Sequence, residues 1–425
     1  MAPADPTGSS RATAEISFVL PCLNEALTIA YCVQECITAI RASGVSGEVV
    51  VADNGSTDGS PEIAARAGAR VIHVAARGYG SALISGIQAA RGKYVLIGDS
   101  DMSYDFSQMP RFWEQLRHGA DLVVGCRMPR GGGTIQPGAM PLTHRYLGNP
   151  LLSLLGRIIF HIDLVDFHCG IRAFERERIL ALGLQTSGME FATEMIVKAR
   201  LAGLGIKQVP VTLRPDGRNR PPHLQTWQDG WRHLRFMLLH APRWLFLYPG
   251  FALTAFSLGT FILLLSGPVV ITKIRFDVNT LLVMAAGILA GFQVMVLGLF
   301  SEIFSRRFGL LPPSKLTERI LGIGLFEKGI AIGGGILVAG FLYLIFARLK
   351  WKSTGFGNLS YPDTLRLTIP AVVGMCLGVQ IMFGGFLLAV LGQVPGIADN
   401  NPVHPSRSTN EPQKPNPETP DHANF

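Results

Sequence analysis

Two aspartates separated by a single serine stand directly after a short apolar run. Asp99-Ser100-Asp101 follows Tyr94-Val95-Leu96-Ile97, which has the composition of a buried β-strand. Two carboxylates at a strand end are able to hold a divalent cation against a diphosphate. A second acidic turn, Asp53-Asn54-Gly55-Ser56-Thr57-Asp58, follows the apolar run Val49-Val50-Val51-Ala52 further upstream. Two such strand ends in one α/β domain indicate a nucleotide-sugar site.

The elements that must position these carboxylates alternate between strand and helix patterns. The predicted strands are Ile16–Leu20, Glu48–Ala52, Val71–Val74, Tyr94–Ile97, Asp121–Gly125 and a late one over Ile206–Leu213. The predicted helices are Ala26–Ala42, Pro61–Ala67, Ser81–Ala90 and one around Pro110–Arg117. This alternation predicts an open, mostly parallel sheet that binds ligands at the carboxyl ends of its strands.

The second half of the chain is strongly apolar, although 16% of all residues are charged. Four uncharged stretches follow one another, near 245–271, 278–301, 329–347 and 367–394. Each is long enough to cross a hydrocarbon core of ~30 Å at ~1.5 Å per residue. They predict an all-α transmembrane domain of about four helices over 245–394, in preference to buried helices of a soluble protein.

The flanking segments set the remaining boundaries. Residues 1–14 are predicted to be a disordered tail without the apolar core of a signal peptide, so the first domain is expected in the cytoplasm. Residues 395–425 are predicted to be a second disordered tail. Over 226–244, Trp227 and Trp231 recur at helical spacing among arginines, which predicts an amphipathic helix in the membrane interface. An ordinary surface helix is the alternative.

The net charge bears on the binding partners, and the positions of the basic residues bear on the membrane topology. The formal net charge of +8 suits a neighbour of anionic lipid, and no module of interleaved aromatic and basic residues supports nucleic-acid binding. Four spans place basic residues of the second connection inside, as the positive-inside rule expects, but place those of the last connection outside. The two sets are Arg306, Arg307, Lys315, Arg319 and Arg348, Lys350, Lys352, Arg366. An amphipathic or re-entrant segment near 303–327 is the alternative.

Six short motifs follow one another in a fixed order. They are Leu20-Pro21-Cys22-Leu23-Asn24-Glu25, Ala52-Asp53-Asn54-Gly55-Ser56-Thr57-Asp58, Arg77-Gly78-Tyr79-Gly80, Asp99-Ser100-Asp101, Val124-Gly125-Cys126-Arg127 and Asp166-Phe167-His168-Cys169-Gly170-Ile171-Arg172. This ordered series resembles the GT-A glycosyltransferases of family 2, and among them the polyprenyl-phosphate sugar synthases of the dolichyl-phosphate mannose and glucose type. The resemblance implies a Rossmann-like α/β GT-A domain over 15–225.

The resemblance also implies roles for the acidic residues. Asp101 would bind Mg²⁺ or Mn²⁺, Asp99 would bond the ribose or sugar of the donor, and both count as catalytic. Asp53 would accept hydrogen bonds from the uracil or guanine edge. Relatives often place Gln two residues beyond the second Asp, but this chain has Ser103, so Asp105 or water is an alternative third ligand.

Further residues of the donor side come from the strand ends and one glycine turn. Pro21, Asn24 and Glu25 close the first strand, where base and ribose recognition is expected. Gly78 and Gly80 allow a tight turn before a helix start, where backbone N–H groups are able to meet phosphate.

Arginines suit the phosphate groups because a planar guanidinium bonds phosphate through two N–H groups and stays charged. The resemblance makes Arg127 the catalytic donor-side arginine. Arg145 and Asn149 match an Arg/Ser pair that holds the acceptor phosphate, and Arg218 and Arg220 lie where relatives carry basic residues of the acceptor loop. A solvated surface role is the alternative for each single arginine.

Two glutamates one helical turn apart complete the candidate set. Glu190 and Glu194 fall in a region that approaches the donor sugar in the enzymes that this chain resembles. Either carboxylate is expected to bond sugar hydroxyls, and structural hydrogen bonding is the alternative. The notable arginine nearby, Arg172, is instead expected to stabilise the fold by pairing with Asp166 or an adjacent loop.

Together these features predict an inverting hexosyltransferase that moves one hexose from a UDP- or GDP-hexose to polyprenyl phosphate at the cytoplasmic membrane face. UDP with glucose or a related hexose is favoured weakly, and the sequence is compatible with a homo-oligomer. A processive polysaccharide synthase is disfavoured, because Gln228-Asp229-Gly230-Trp231-Arg232 lacks the order Gln-x-x-Arg-Trp. A transporter or scaffold with an inactive domain is disfavoured because the four uncharged stretches also lack histidine.

Overall fold

A seven-stranded sheet organises the amino-terminal half of the chain. The computed structural model describes residues 14–219, 226–308, 311, 314, 317–319, 325–353, 355, 357 and 360–393. The strands of the sheet are β1 Ile16–Cys22, β2 Gly47–Asp53, β3 Arg70–His73, β4 Tyr94–Ile97, β5 Leu122–Cys126, β7 Arg172–Glu175 and β8 Ile206–Pro210. Their order is β3-β2-β1-β4-β7-β5-β8, and β7 runs antiparallel to both of its neighbours. The predicted mostly parallel sheet is therefore confirmed.

Two strand features differ from the sequence prediction. The strand β7 carries Arg172 and Glu175 at its ends, so only its two central residues give an apolar signal. The predicted strand Ile206–Leu213 divides at Pro210, because β9 Thr212–Leu213 leaves the main sheet and pairs with β6 Thr134–Ile135. Pro210 has no N–H to continue the ladder.

Seven helices accompany the sheet along the chain. They are α1 Ile29–Ser43, α2 Ser60–Arg66, α3 Tyr79–Ala89, α4 Met109–Arg117, α5 Asn149–Phe160, α6 Arg176–Leu180 and α7 Phe191–Leu201. α3 packs on β1 and β2 and contacts α6 and α7, whereas α1 contacts α2 and β2. The fully buried aromatic residues of this core are Phe18, Phe106, Phe112, Phe167, Phe174 and Phe191.

The amphipathic helix predicted over 226–244 is α8 Thr226–Leu239, and it contacts α5 and α7. Its buried side includes His233 and Met237, while Trp227 and Trp231 are exposed. The α-helix ends before Pro242, and a π-helical turn at Arg243–Leu247 leads into the next helix.

The carboxyl-terminal half contains α9 Tyr248–Leu265, α10 Val278–Arg307, α11 Leu325–Ser353 and α12 Tyr361–Gln393. All four are long and apolar enough to cross a membrane, which confirms the predicted four-helix transmembrane domain. The first helix stops at Leu265 rather than near 271, because Ser266-Gly267-Pro268 interrupts it. A hairpin of β10 Val269–Ile271 and β11 Ile274–Phe276 follows.

Glycines let the membrane helices approach each other closely. A Cβ atom on Gly378 of α12 would lie 2.6 Å from the Gly333 carbonyl oxygen of α11, and one on Gly291 of α10 would lie 2.9 Å from the Gly250 carbonyl oxygen of α9. Such small-residue contacts are the usual means by which apolar helices associate in lipid.

Ion pairs mark the two ends of this helical bundle. At one end Arg366 of α12 pairs with Asp277, which precedes α10. At the other end Glu302 of α10 accepts hydrogen bonds from Arg243 at 2.7 Å and from Arg306 at 2.9 Å. The predicted tails over residues 1–14 and 395–425 lie outside the described residues except for Ala14.

Candidate active site

The predicted acidic residues meet at one edge of the sheet, because β1 lies between the parallel strands β2 and β4. Side chains tie these strand ends together. The Ser100 hydroxyl donates to the Pro21 carbonyl oxygen at 2.6 Å, and the Asn24 side-chain oxygen accepts from the Thr57 N–H at 2.8 Å. Asn24 has a φ of 57°, so the chain turns sharply after β1.

Asp53 closes β2 and folds the turn that follows it. Its carboxylate accepts from the N–H groups of Gly55 and Ser56 at 3.3 and 3.1 Å, and His73 lies 3.3 Å from the same group. The neighbouring Asn54 accepts from the Gly78 N–H and donates to the Ala76 carbonyl oxygen, each at 2.7 Å. A carboxylate cannot donate, so an aspartate at position 54 would not make the bond to Ala76.

Gly78 and Gly80 are required by close packing. Gly78 has a φ of 126°, and a Cβ atom there would lie 2.2 Å from the Ser187 carbonyl oxygen. The Gly80 N–H donates to that oxygen at 2.8 Å. Both amides are thus bonded inside the protein in this structure, and their contact with phosphate stays a prediction.

Asp99 and Asp101 lie at the end of β4 with different environments. The Tyr79 hydroxyl donates to Asp99 at 2.9 Å, and desolvation together with the charge of Asp101 raises the pKa of Asp99 to about 6. The buried Asp101 accepts on Oδ1 from the Ser103 N–H, at 3.0 Å, and from the Ser103 hydroxyl. Its Oδ2 faces the Arg218 guanidinium at 3.1 Å.

Arg218 joins the segments that follow two strand ends. Besides Asp101 it pairs with Glu25 at 2.7 Å, and Glu25 is itself buried. The sequence placed Arg218 with the acceptor phosphate, whereas this structure has it on the carboxylates of the donor side. Arg220 lies outside the described residues.

Arg127 is held in a buried ion pair. Its guanidinium donates to both carboxylate oxygens of Asp166 at 2.7 and 2.9 Å, and the Asp166 side chain is fully buried. Arg172 donates to the carbonyl oxygens of Cys169 and Phe167, which confirms the prediction that an adjacent loop holds it.

Arg145 and Asn149 belong to one helical segment, as their spacing predicted. Arg145 lies in a π-helical turn over His144–Gly148, and Asn149 begins α5. The Arg145 guanidinium sits 5.4 Å from the centre of the Tyr146 ring. Burial and the charge of Arg127 lower the pKa of His144, so this turn lies near the buried Arg127.

The two glutamates differ in how they are bonded. Glu194 accepts from the Thr186 N–H at 2.8 Å, from the Gln185 N–H at 3.0 Å and from Lys198 at 2.7 Å. It therefore fixes the loop that packs on Gly78 and Gly80. The Glu190 Oε2 atom is buried and has no hydrogen-bond partner among the described residues, which leaves it available to a ligand.

An exposed apolar face on α5 and the turn before it was not predicted from the sequence. The exposed side chains at helical spacing are Leu147, Leu151, Leu154 and Ile158. The spacing of four, three and four residues places them on one face, and this pattern was the signal that would have found them. No sequence pattern identified Tyr79 as the hydrogen-bond partner of Asp99.

The residues present fit a divalent cation whose remaining coordination positions would be filled by the substrate. Within the described ranges no group of three or more His, Cys, Asp or Glu side chains is arranged to hold a metal. Asp101 nevertheless directs one buried carboxylate oxygen at a cationic group, and hard oxygen ligands suit Mg²⁺ or Mn²⁺. Mg²⁺ commonly takes one or two carboxylates and fills its remaining positions with phosphate and water.

Comparison with known proteins agrees with this architecture. Residues 17–179 match the family model of glycosyl transferase family 2, and residues 299–392 match that of the glycosyltransferase family 2 C-terminal transmembrane region. The low-salt glycan biosynthesis hexosyltransferase Agl6 of Haloferax volcanii is 38% identical over 382 residues, which are 89% of each chain. A dolichyl-phosphate hexose transferase of the same organism is 32% identical over 41% of this chain and 73% of its own.

Among solved structures, glucosyl-3-phosphoglycerate synthase from Mycobacterium tuberculosis, in complex with Mn²⁺, UDP and glucosyl-3-phosphoglycerate, is 27% identical. The match covers 54% of this chain and 80% of the other, with a TM-score of 0.43. The near full-length similarity to Agl6 and the two family models decide the assignment. The chain belongs to glycosyltransferase family 2, as an integral membrane enzyme with a GT-A domain ahead of its membrane helices.

Proposed function

We propose that this enzyme transfers one hexose from a nucleotide-diphosphate hexose to polyprenyl phosphate at the cytoplasmic membrane face. The observation that carries the proposal is that one domain combines a cluster of carboxylates at a sheet edge with two helices that expose apolar side chains. Asp53, Asp99 and Asp101 share one sheet edge, while α5 and α8 contact each other and expose apolar side chains. Such helices suit the interface, where a lipid phosphate is presented.

The names of two relatives support the substrate classes. One is a hexosyltransferase and another a dolichyl-phosphate hexose transferase. For this chain we infer a hexose as the transferred group and a polyprenyl phosphate as the acceptor. A UDP-hexose is the first donor to test.

The reaction needs no strong base in the protein. An oxygen of the acceptor phosphate dianion attacks the anomeric carbon, the bond from that carbon to the diphosphate oxygen breaks, and the configuration inverts. The nucleoside diphosphate leaves with the electron pair. Mg²⁺ or Mn²⁺, when bound, supplies charge that stabilises the departing diphosphate. Asp101 would hold the cation, Asp53 the base and Asp99 the ribose or sugar.

Side chains at the start of α5 would orient the acceptor phosphate toward the donor sugar. Arg145 and Asn149 lie on the segment that enters α5, so we assign them to the acceptor phosphate. Holding two reactants in line replaces a chance encounter with an intramolecular step, which is the main contribution that such groups make. Arg127 stays paired with Asp166, and its charge lowers the pKa of His144 in the turn that carries Arg145.

The test is transfer by the purified full-length chain in detergent, with a panel of radiolabelled UDP- and GDP-hexoses, a short prenyl phosphate and Mn²⁺. We expect a lipid-phosphate hexose whose formation stops when EDTA is added. Asp101→Asn should lower the rate at least about 100-fold, the loss typical of one preorganised electrostatic contact.

Glu62→Gln, on the surface of α2, serves as the matched acidic control and should retain the wild-type rate. Polymer formation would favour the processive synthase. Absence of any transfer dependent on divalent cations, with every donor, would favour the inactive transporter or scaffold.

A further inference from the structure

The turn Arg77-Gly78-Tyr79-Gly80 is held between two other parts of the GT-A domain. The Gly78 N–H donates to Asn54 Oδ1 at 2.7 Å, and the Gly80 N–H donates to the Ser187 carbonyl oxygen at 2.8 Å. A Cβ atom on Gly78 or Gly80 would lie 2.2 or 2.1 Å from a carbonyl oxygen of the 186–187 loop. The backbone of the turn is therefore fixed on both sides.

The loop that packs on these glycines is itself fastened by a buried carboxylate. Glu194 of α7 accepts from the Thr186 N–H at 2.8 Å, from the Thr186 hydroxyl at 2.6 Å and from the Gln185 N–H at 3.0 Å. Its side chain is buried, so a shift of the loop would leave a buried carboxylate without its donors. Tyr79, which begins α3 between the two glycines, thus starts from a fixed position.

The Tyr79 side chain reaches the end of β4. Its hydroxyl donates to Asp99 Oδ1 at 2.9 Å. The backbone next to Asp99 is held as well, because the Ser100 hydroxyl donates to the Pro21 carbonyl oxygen at 2.6 Å. Hydrogen bonds to a carboxylate are stronger than those between neutral groups. With the backbone held on both sides, this bond sets the rotation of the Asp99 carboxylate.

The two oxygens of Asp99 differ as a result. Oδ1 is bonded to Tyr79, whereas Oδ2 accepts no hydrogen bond from the residues that the structure describes. A Cβ atom on Gly170 would lie 3.0 Å from Oδ2, so this glycine keeps that side of the carboxylate free of a side chain. The Gly170 N–H donates to the Tyr104 hydroxyl at 2.8 Å, which holds the glycine there. One oxygen of Asp99 is thereby left for a ligand.

We propose that Tyr79 is a positioning residue of the donor site, which holds Asp99 Oδ1 so that Oδ2 accepts a hydrogen bond from a hydroxyl group of the donor. The inference rests on the proposed function, in which Asp99 bonds the ribose or sugar. A carboxylate that is oriented in advance loses less rotational freedom when the donor binds. The glycine turn then serves to place a tyrosine against Asp99.

The first test measures donor binding without transfer. UDP- and GDP-hexoses, with UDP-glucose first, are titrated calorimetrically into the purified full-length chain in detergent with Mn²⁺. For the donor that wild type binds, Tyr79→Phe should raise the Kd about tenfold, the loss usual when a partner that orients a binding side chain is removed. Tyr94→Phe is the matched control, because Tyr94 begins the same strand and packs its ring on Trp113. It should keep the wild-type Kd.

A double-mutant cycle separates positioning from a purely structural role. Asp99→Ala should weaken donor binding at least about tenfold, since a hydrogen bond to a charged group is lost. In that background Tyr79→Phe should add less than about twofold, because no carboxylate remains to be oriented. The same tenfold loss in both backgrounds would overturn the proposal, and so would a wild-type Kd in Tyr79→Phe. Asp99→Ser replaces Asp99→Ala in the cycle if the alanine variant does not fold.

The second test uses initial rates with both substrates varied. Tyr79→Phe should raise the donor KM about tenfold and leave the acceptor KM unchanged. An equal rise in both KM values would contradict a role at the donor alone. Failure of the proposed function looks different: wild type would give no transfer, while the donor Kd and its dependence on Tyr79 would still be measured. Wild type that bound no nucleotide hexose would overturn the proposed function and the role of Tyr79 together.

Discussion

Four arginines lie in or near the motifs of the candidate site, and each has different partners in the structure. Arg127 is locked to a fully buried carboxylate, and Arg172 is fully buried among carbonyl oxygens. Arg145 rests on an aromatic ring, and Arg218 bridges two carboxylates at the pocket. Because binding a new phosphate requires a guanidinium that is able to change partners, Arg145 and Arg218 are the better candidates for the acceptor.

The two glutamates before and in α7 should separate by their effects. Glu190→Gln should lower kcat/KM at least about tenfold and leave the melting temperature unchanged, because its buried oxygen has no partner within the described part of the chain. Glu194→Gln should instead destabilise the fold by about 2 kcal/mol, because its carboxylate accepts several buried hydrogen bonds.

Thermal unfolding and steady-state transfer, measured on the same preparations, check both glutamate variants. A Glu190→Gln enzyme with the wild-type rate would remove that residue from the sugar site. A Glu194→Gln enzyme that kept its stability would show that Lys198 and the 185–187 loop do not depend on this carboxylate.

At the scale of elements, α5 and α8 form the surface that we propose faces the membrane. α8 was predicted from its tryptophans, whereas α5 is amphipathic through leucine and isoleucine alone. Their contact with each other places the segment of Arg145 and Asn149 beside the helix that leads to the first span. The acceptor phosphate is thereby expected at the depth of the lipid headgroups.

The double variant Leu151→Ser with Leu154→Ser should weaken the use of long-chain acceptor. Each exposed leucine contributes about 1.5–3 kcal/mol when it is buried in an apolar medium. We expect kcat/KM for a long-chain polyprenyl phosphate in vesicles to fall at least about tenfold, with the donor KM unchanged. A short, water-soluble prenyl phosphate is the control acceptor, and an equal loss with it would contradict a membrane role for α5.

At the scale of the whole molecule, the ion pairs at the bundle ends support four crossings. The hairpin of β10 and β11 and the start of α12 meet through Asp277 and Arg366, so both lie on one side. Arg243 and Glu302 pair at the other end of the bundle, where the chain passes from the GT-A domain into the first membrane helix. The basic residues at the end of α11 then lie on the side opposite the GT-A domain, against the positive-inside expectation for a cytoplasmic GT-A domain.

Cysteine labelling tests this topology in a Cys376→Ser background. Lys273→Cys in the hairpin and Arg348→Cys near the end of α11 should react with a membrane-impermeant maleimide in intact cells. Lys207→Cys on the GT-A domain is exposed and should react only after permeabilisation. Protection of Arg348→Cys in intact cells would mean that the third helix does not cross as described.

Local sequence patterns predicted most of the strands and all four membrane helices. Short apolar runs indicated the strand that ends at Asp53 and the strand that ends at Ile97, just before Asp99 and Asp101, and long uncharged runs indicated four membrane helices. Both signals depend on hydrophobic periodicity along the chain, which acts over a few residues or one helix. The same patterns missed β7, because a four-residue strand with charged ends has too short an apolar run.

The tertiary structure decided which side chains bond to each other. No spacing rule pairs Arg127 with Asp166, bonds Tyr79 to Asp99 or carries Arg218 to Glu25 at a separation of 193 residues. Such contacts depend on which strands become neighbours and on which charges lose water together. The sequence by itself determined which residues are candidates for the chemistry and where the membrane helices lie, because short motifs and apolar runs are local features of the chain. Only the packed chain decided which charges are bound to each other and which are free to meet a substrate.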